Sequence, residues 1–147
     1  MNILLDTSVL VAAIVEAHPA HDAALPWLQR VKHGEDRGLI AAHTIAELYA
    51  ILTTLPIRPK ISPEGAKQLI QQDVLSACDI ITLSDEDYKA IIDHLSEAGI
   101  AGGVIYDALI LYTALKTDVE QVITLNEKDF RRIYPELADK IFSPLRQ

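Results

Sequence analysis

Apolar residues in this chain fall into two rhythms. Short unbroken apolar runs occur at residues 2–5, 38–42, 79–83 and 121–125, with a weaker one at 140–142. They read as strands of a parallel sheet buried on both faces, since a strand with one wet face would alternate. Between them apolar residues recur every three or four positions, at Ile45, Leu48, Tyr49, Leu52 and Leu55 and again at Tyr88, Ile91, Ile92, Leu95 and Ala98. That spacing is the stripe of a helix resting one face on a core. Ser62 before Pro63, and Ser84 three residues ahead of Asp87, mark helix starts. A further helix is predicted over residues 20–32, where Pro26 predicts a kink or a break because it lacks a backbone donor and crowds the preceding turn. Residues 54–63, with Pro56, Pro59 and Pro63, read as a stiff connection, and Gly99, Gly102 and Gly103 as a second interruption. Strands alternating with helices predict one α/β domain over residues 1–147, a three-layer α/β/α sandwich around a central, mainly parallel sheet of about five strands joined by right-handed crossovers.

Composition narrows the function without naming it. Half of the 147 residues are hydrophobic, yet no run approaches the ~20 apolar residues of a bilayer-spanning helix. The N-terminus lacks a basic leader and Asp6 interrupts its apolar run, so a soluble cytoplasmic protein with no membrane association is expected. Cys78 is the only cysteine, which excludes an intrachain disulfide or a cysteine-based zinc cluster. The net charge of -8 argues against a protein that coats nucleic acid by bulk electrostatics. It leaves room for an enzyme that gathers carboxylates around a divalent cation.

Four acids open or follow apolar elements. Asp6 ends the first strand in LLDTSVL; Glu47 is expected in the first turn of the helix in HTIAELYAIL; Asp107 opens the helix of YDALILYTAL; Asp129 follows the fourth strand in VITLNEKDF. Ligands of open parallel sheets bind beyond the carboxyl ends of the strands, where strand order reverses. If the first and fourth strands are neighbours at that point, the four carboxylates converge despite their separation in sequence. Together they would repel one another unless a hard cation such as Mg²⁺ or Mn²⁺ neutralised them, and such ions can activate water and stabilise a leaving oxygen in phosphodiester hydrolysis.

In order and spacing these four segments resemble the acidic motifs of the PIN-domain ribonuclease family, and among its members the VapC-like toxins of type II toxin–antitoxin pairs. The resemblance runs from Met1 to about Pro144. It implies a Mg²⁺- or Mn²⁺-dependent ribonuclease selective for single-stranded RNA, commonly a toxin homodimer silenced by a small antitoxin protein. Asp6, Glu47, Asp107 and Asp129 would be the catalytic and metal-binding residues. Asn126 stands where many relatives carry an acid, so either Asp129 supplies the fourth carboxylate or Asn126 ligates through its carbonyl, with Thr124 as further support. A PIN nuclease of RNA processing and a non-catalytic protein-binding member of the fold are the alternatives.

Each residue also has a plainer reading. Acids are favoured at helix N-termini, and Thr44 with Glu47 matches a capping box. Thr7 and Ser8 are placed beside the site as substrate contacts, with turn chemistry as the alternative. Arg131 and Arg132 follow Asp129 closely enough to border the pocket and are placed there too, while the other basic residues read as solvated surface. His18 and His21 read as loop residues, and Trp27 as core or interface. Other acidic enzymes fit less well: a haloacid-dehalogenase-like phosphatase needs a second aspartate where Ser8 stands, and a receiver domain needs an aspartate where the third strand ends in Leu83 and Ser84.

Overall fold

The computed structural model describes residues 1–146. Its strands are β1 (Asn2–Leu5), β2 (Arg37–Ala41), β3 (Cys78–Ile81), β4 (Gln121–Ile123) and β5 (Ile141–Phe142). The helices are α1 (Thr7–Ile14), α2 (His21–Lys32), α3 (Ala42–Leu52), α4 (Pro63–Ile70), α5 (Asp85–Glu97), α6 (Val104–Leu115) and α7 (Glu127–Ile133). A π-helical turn, Gln71–Leu75, extends α4, and a 3₁₀ turn, Pro135–Lys140, leads into β5. All strand pairs are parallel, in the order β3-β2-β1-β4-β5. The chain lays β1, β2 and β3 outward in one direction and returns to lay β4 and β5 on the other side. Strand order therefore reverses between β1 and β4, which pair directly, as the sequence argument required.

Alternation along the central strands sorts the core into two halves. Ile3, Leu5, Ile40 and Ile123 pack with α1 to α4, while Leu4, Leu39, Ala41 and Val122 pack with α5 to α7. Burial of both faces explains the unbroken apolar runs. No helix among the described residues is long and apolar enough to cross a membrane.

Several local features depart from the sequence reading. Helix α2 runs unbroken through Pro26. Pro26 and Asp22 are both exposed, so the Asp22 carbonyl that loses its helical partner faces water, which limits the cost. Strand β2 starts at Arg37 and yields Ala42 to α3, and β3 ends at Ile81, not Leu83. Strand β4 stops at Ile123 because side chains take over the following backbone donors: Leu125 N donates to Ser8 Oγ at 3.1 Å and Asn126 N to Thr124 Oγ1 at 3.0 Å. The expected helix starts do form. Ser62 Oγ accepts from Gly65 N, and Ser84 and Asp87 complete a capping box.

Gly38 in β2 is where sheet and helix approach most closely. A Cβ there would lie 2.6 Å from Val31 Cγ1 of α2 and 3.2 Å from Cys78 Sγ of β3. Overpacking of this kind costs about 1–3 kcal/mol. Gly38→Ala is therefore expected to lower the thermal midpoint by roughly 2–10 °C. An unchanged midpoint would show that α2 shifts freely over the sheet.

Candidate active site

The end of β1 places a carboxylate in the interior. Asp6 leaves the strand in extended conformation and caps α1, accepting from Thr7 N at 2.8 Å. Its other oxygen accepts from Ser8 Oγ at 2.7 Å and from Thr124 Oγ1 at 2.8 Å. Asp6 is 3% exposed. Burial pushes its pKa up, and the hydrogen bonds from Ser8, Thr124 and the Thr7 backbone offset that only in part. Because Ser8 and Thr124 also accept the backbone N–H groups after β4, one network of hydroxyls ties the two central strands together at their carboxyl ends.

Glu47 is reached from the neighbouring strand. Helix α3 starts at Ala42 directly from β2, with Ala41 as its uncapped first position. Glu47 thus lies in the second turn and not the first, and the Thr44–Glu47 capping box does not form. Thr44 instead is fully buried, and Thr7 Oγ1 donates toward Thr44 Oγ1 at 3.2 Å and Glu47 Oε1 at 3.3 Å. His43 Nε2 stands 3.5 Å from Glu47 Oε1. Burial, and then the charge of Asp6, raise the Glu47 pKa.

The other two acids come from the opposite layer. Asp107 lies in the first turn of α6 and Asp129 in the first turn of α7. Both line a cleft of about 350 Å³ with Ile100, Val104, Arg132 and Ile133. The pKa of Asp107 is pushed up to about 6, first by burial and then by the charges of Asp6, Glu47 and Asp129. Asp107 therefore lies within electrostatic reach of the other three sequence-selected acids. Among the described residues, however, no three His, Cys, Asp or Glu side chains stand close enough to enclose a metal ion as placed. In kind the donors suit a hard cation: they are carboxylate oxygens supported by hydroxyls.

Other selected residues are placed differently from one another. Thr7, Ser8 and Thr124 join the acids through the hydrogen bonds above. Asn126 is exposed and joins through its backbone N–H to Thr124. Arg131 lines a hollow with Lys128, Asp129 and Arg132, while its guanidinium donates to Glu127 Oε2 at 3.1 Å and to the Ile141 carbonyl at 2.9 Å. Arg132 borders the cleft but pairs with Asp129 at 2.5 Å. His18 lies in the loop and accepts from Ala20 N, whereas His21, read from sequence as a loop residue, opens α2 and meets the Ala12 carbonyl of α1.

Sequence reasoning missed Glu127 and Arg146. Glu127 is buried and pairs with both Arg131 and Arg146, fastening α7 to β5 and the chain beyond it. Its four-residue spacing from Arg131 was the available signal. His43, one helical turn before Glu47, was missed as well.

Residues 3–135 match the PIN domain family model. Ribonuclease VapC40 of Mycobacterium tuberculosis is 35% identical over 109 residues, covering 74% of this chain and 75% of that one. Among solved structures, VapBC2 from Rickettsia felis, bound to a DNA fragment from its promoter, superposes with a TM-score of 0.68 at 23% identity, covering 97% of this chain and 98% of that one. A toxin–antitoxin complex from Klebsiella pneumoniae gives 0.65 at 20% identity, covering 99% of each chain. These two show a shared fold.

The electrostatics of Asp107 yield a stability test. A carboxyl whose folded pKa lies near 6, against 3.8 when unperturbed, destabilises the fold when ionised. The penalty is absent below about pH 3.8, grows between there and 6, and is complete above 6. In chelator-containing buffer at pH 7.5, Asp107→Asn should therefore be more stable than the parent by about 1–2 kcal/mol, discounted from the full shift for solvent screening. That advantage should shrink as the pH falls through 6 toward 4, as read by thermal melts. An advantage independent of pH would mean that the four charges do not meet.

Proposed function

The chain belongs to the PIN-domain family, and from that premise we propose that it is a Mg²⁺- or Mn²⁺-dependent ribonuclease hydrolysing phosphodiester bonds in single-stranded RNA, the toxin of a toxin–antitoxin pair. What supports the reading is the position of Asp107, whose pKa is pushed up to about 6 first by burial and then by the charges of Asp6, Glu47 and Asp129, beside the point where strand order reverses. Similarity to a curated ribonuclease over three-quarters of both chains supports the reaction class.

Asp6, Glu47, Asp107 and Asp129 would hold the cation, with Asn126 and Thr124 beside them. A divalent ion bound there supplies a lowered pKa for attacking water and charge stabilisation for the leaving oxygen. The chain's own part is orientation. Ser8, Thr124 and the Thr7 backbone fix both oxygens of Asp6, and the Thr7 hydroxyl aims Glu47. Cys78 has no part, since burial and the nearby Asp79 push its thiol up to about 11.

A groove of about 800 Å³ between α3 and α4, with Ile45, Ala46, Tyr49, Ile70 and Leu75 in its walls, suits an apolar segment of a small antitoxin protein. The similar fold of a known toxin–antitoxin complex supports such a partner. Tyr88 and Ile92, one turn apart and exposed on α5, give a second copy of the chain an apolar face to cover, in keeping with a homodimer.

Two experiments test the reading. Purified protein should cleave single-stranded RNA with Mg²⁺ or Mn²⁺ and stop in excess chelator. Asp107→Asn and Glu47→Gln should lower cleavage at least on the order of 100-fold while remaining folded, since several kcal/mol of charge stabilisation depend on the ion. Asp129→Asn should be milder because Asp129 is exposed and paired with Arg132. Asp6→Asn should also abolish cleavage but with a stability loss, because Ser8 and Thr124 both donate to the oxygen an amide would replace. Full cleavage by folded Asp107→Asn protein, or undiminished activity in chelator, would refute the four-acid site.

The second experiment is cellular. Overproduction of the parent should arrest growth and overproduction of Asp107→Asn should not, with co-production of the small partner relieving the arrest. Growth unaffected by an active parent would remove the toxin reading and leave the nuclease.

A further inference from the structure

Tyr106 immediately precedes Asp107 on α6, and its ring stacks on His43 of α3, with centroids 5.1 Å apart and planes within 5° of parallel. His43 stands 3.5 Å from Glu47. The stack therefore bridges the helices that carry two of the four acids and sits at the rim of their site. Its exposure sets it apart from a structural pair. His94 stacks on Tyr134 at 4.1 Å, and that tyrosine is 4% exposed. Tyr106, by contrast, is 51% exposed.

Charge gives this site little grip on a polyanion. The chain carries -8 overall, and of the basic residues after Asp129, Arg131 and Arg146 are paired with Glu127 and Arg132 with Asp129. Affinity for single strands then has to draw on the other common source, stacking of unpaired bases on aromatic rings. We propose that the His43–Tyr106 stack is a platform for one nucleobase of the RNA strand beside the scissile phosphate, with Tyr106 as the specificity-determining residue for unpaired nucleotides. The proposal rests on the ribonuclease reading and adds the reason for single-strand selectivity: a base in a duplex has its faces covered by its neighbours and cannot be received. Stacking tolerates every base, so the platform selects the unpaired state and not a sequence.

The test measures binding and cleavage separately. Binding of a fluorescein-labelled single-stranded oligoribonucleotide is followed by anisotropy in Ca²⁺, and cleavage of the same oligonucleotide in Mn²⁺, for the parent, Tyr106→Ala and Tyr106→Phe, with melts confirming that each is folded. Tyr106→Ala should weaken binding about tenfold and raise KM alike, with kcat at saturating RNA far less affected. Tyr106→Phe, which keeps the ring, should restore binding to within about twofold of the parent. Oligonucleotides with a single abasic site should show one position near the cut where the base matters to the parent and no longer matters to Tyr106→Ala. Equal affinity of Tyr106→Ala and parent, or a loss equally large for every abasic position in both, overturns the platform while leaving parental cleavage as evidence for the nuclease. Ring-dependent binding without any cleavage by the parent would support the platform and refute the ribonuclease. A Tyr106→Ala defect in self-association with unchanged RNA affinity would overturn the platform in favour of an interface between protein chains.

Discussion

A buried carboxylate that must stay paired governs this molecule. Asp6 sits where β1 ends and strand order reverses, and its oxygens are satisfied by groups from both sides of that divide. Leaving a buried polar group unpaired costs as much as a large fraction of a typical domain's stability, so β4 has to arrive in register with Thr124 opposite Asp6. The same hydroxyls then serve the backbone beyond β4, which ends the strand and turns the chain toward α7. One requirement, pairing Asp6, thus sets the strand junction, the length of β4 and the direction from which Asp129 approaches.

Around that fixed point the remaining acids are placed with increasing freedom. Asp6 is buried, Glu47 and Asp107 are half-buried, and Asp129 is exposed on a short helix. Burial is the first cause of the raised pKa of all three inner acids, and the charge of neighbouring carboxylates adds to it at Glu47 and Asp107. The graded burial fits a site with a rigid floor and an adaptable rim. Nearby arginines do not flood the site with positive charge, because Glu127 and Asp129 occupy them.

The parts legible in sequence were those set by local pattern and repeated burial. Central strands buried on both faces announce themselves as apolar runs, so β1 was found to the residue. The edge strand β3 was displaced, since Asp79 and Ile80 are exposed there and the apolar run continues past the last sheet contact. The capping box at Thr44 and Glu47 was a local motif overruled by tertiary contact: Thr44 turns inward to Thr7, 37 residues away, and the cap position falls three residues earlier, at Ala41. Asp6 lies at the end of β1 and Asp107 and Asp129 in the first turns of α6 and α7, where local pattern marks them, whereas Glu47 lies in the second turn of α3. The assignments of Arg131 and Arg132 rested on nearness alone, and nearness along a chain does not reveal that a buried glutamate and an exposed aspartate already bind them. The stack of His43 on Tyr106 joins residues from two layers, and nothing in either segment signals the other.

The hydrogen bond from Thr124 to Asp6 spans 118 residues, which gives the fold a timetable. Translation proceeds at about 5–20 residues per second, so β4 emerges roughly 6–24 s after β1. Throughout that interval the first-made strand, destined for the centre of the sheet, lacks one neighbour, and Asp6 lacks the hydroxyl that will fix it. Asp107 and Asp129 follow Asp6 by 101 and 123 residues and emerge after it in that order. A nascent chain that has released β1 to α3 therefore holds Asp6 and Glu47 without the two acids of the opposite layer.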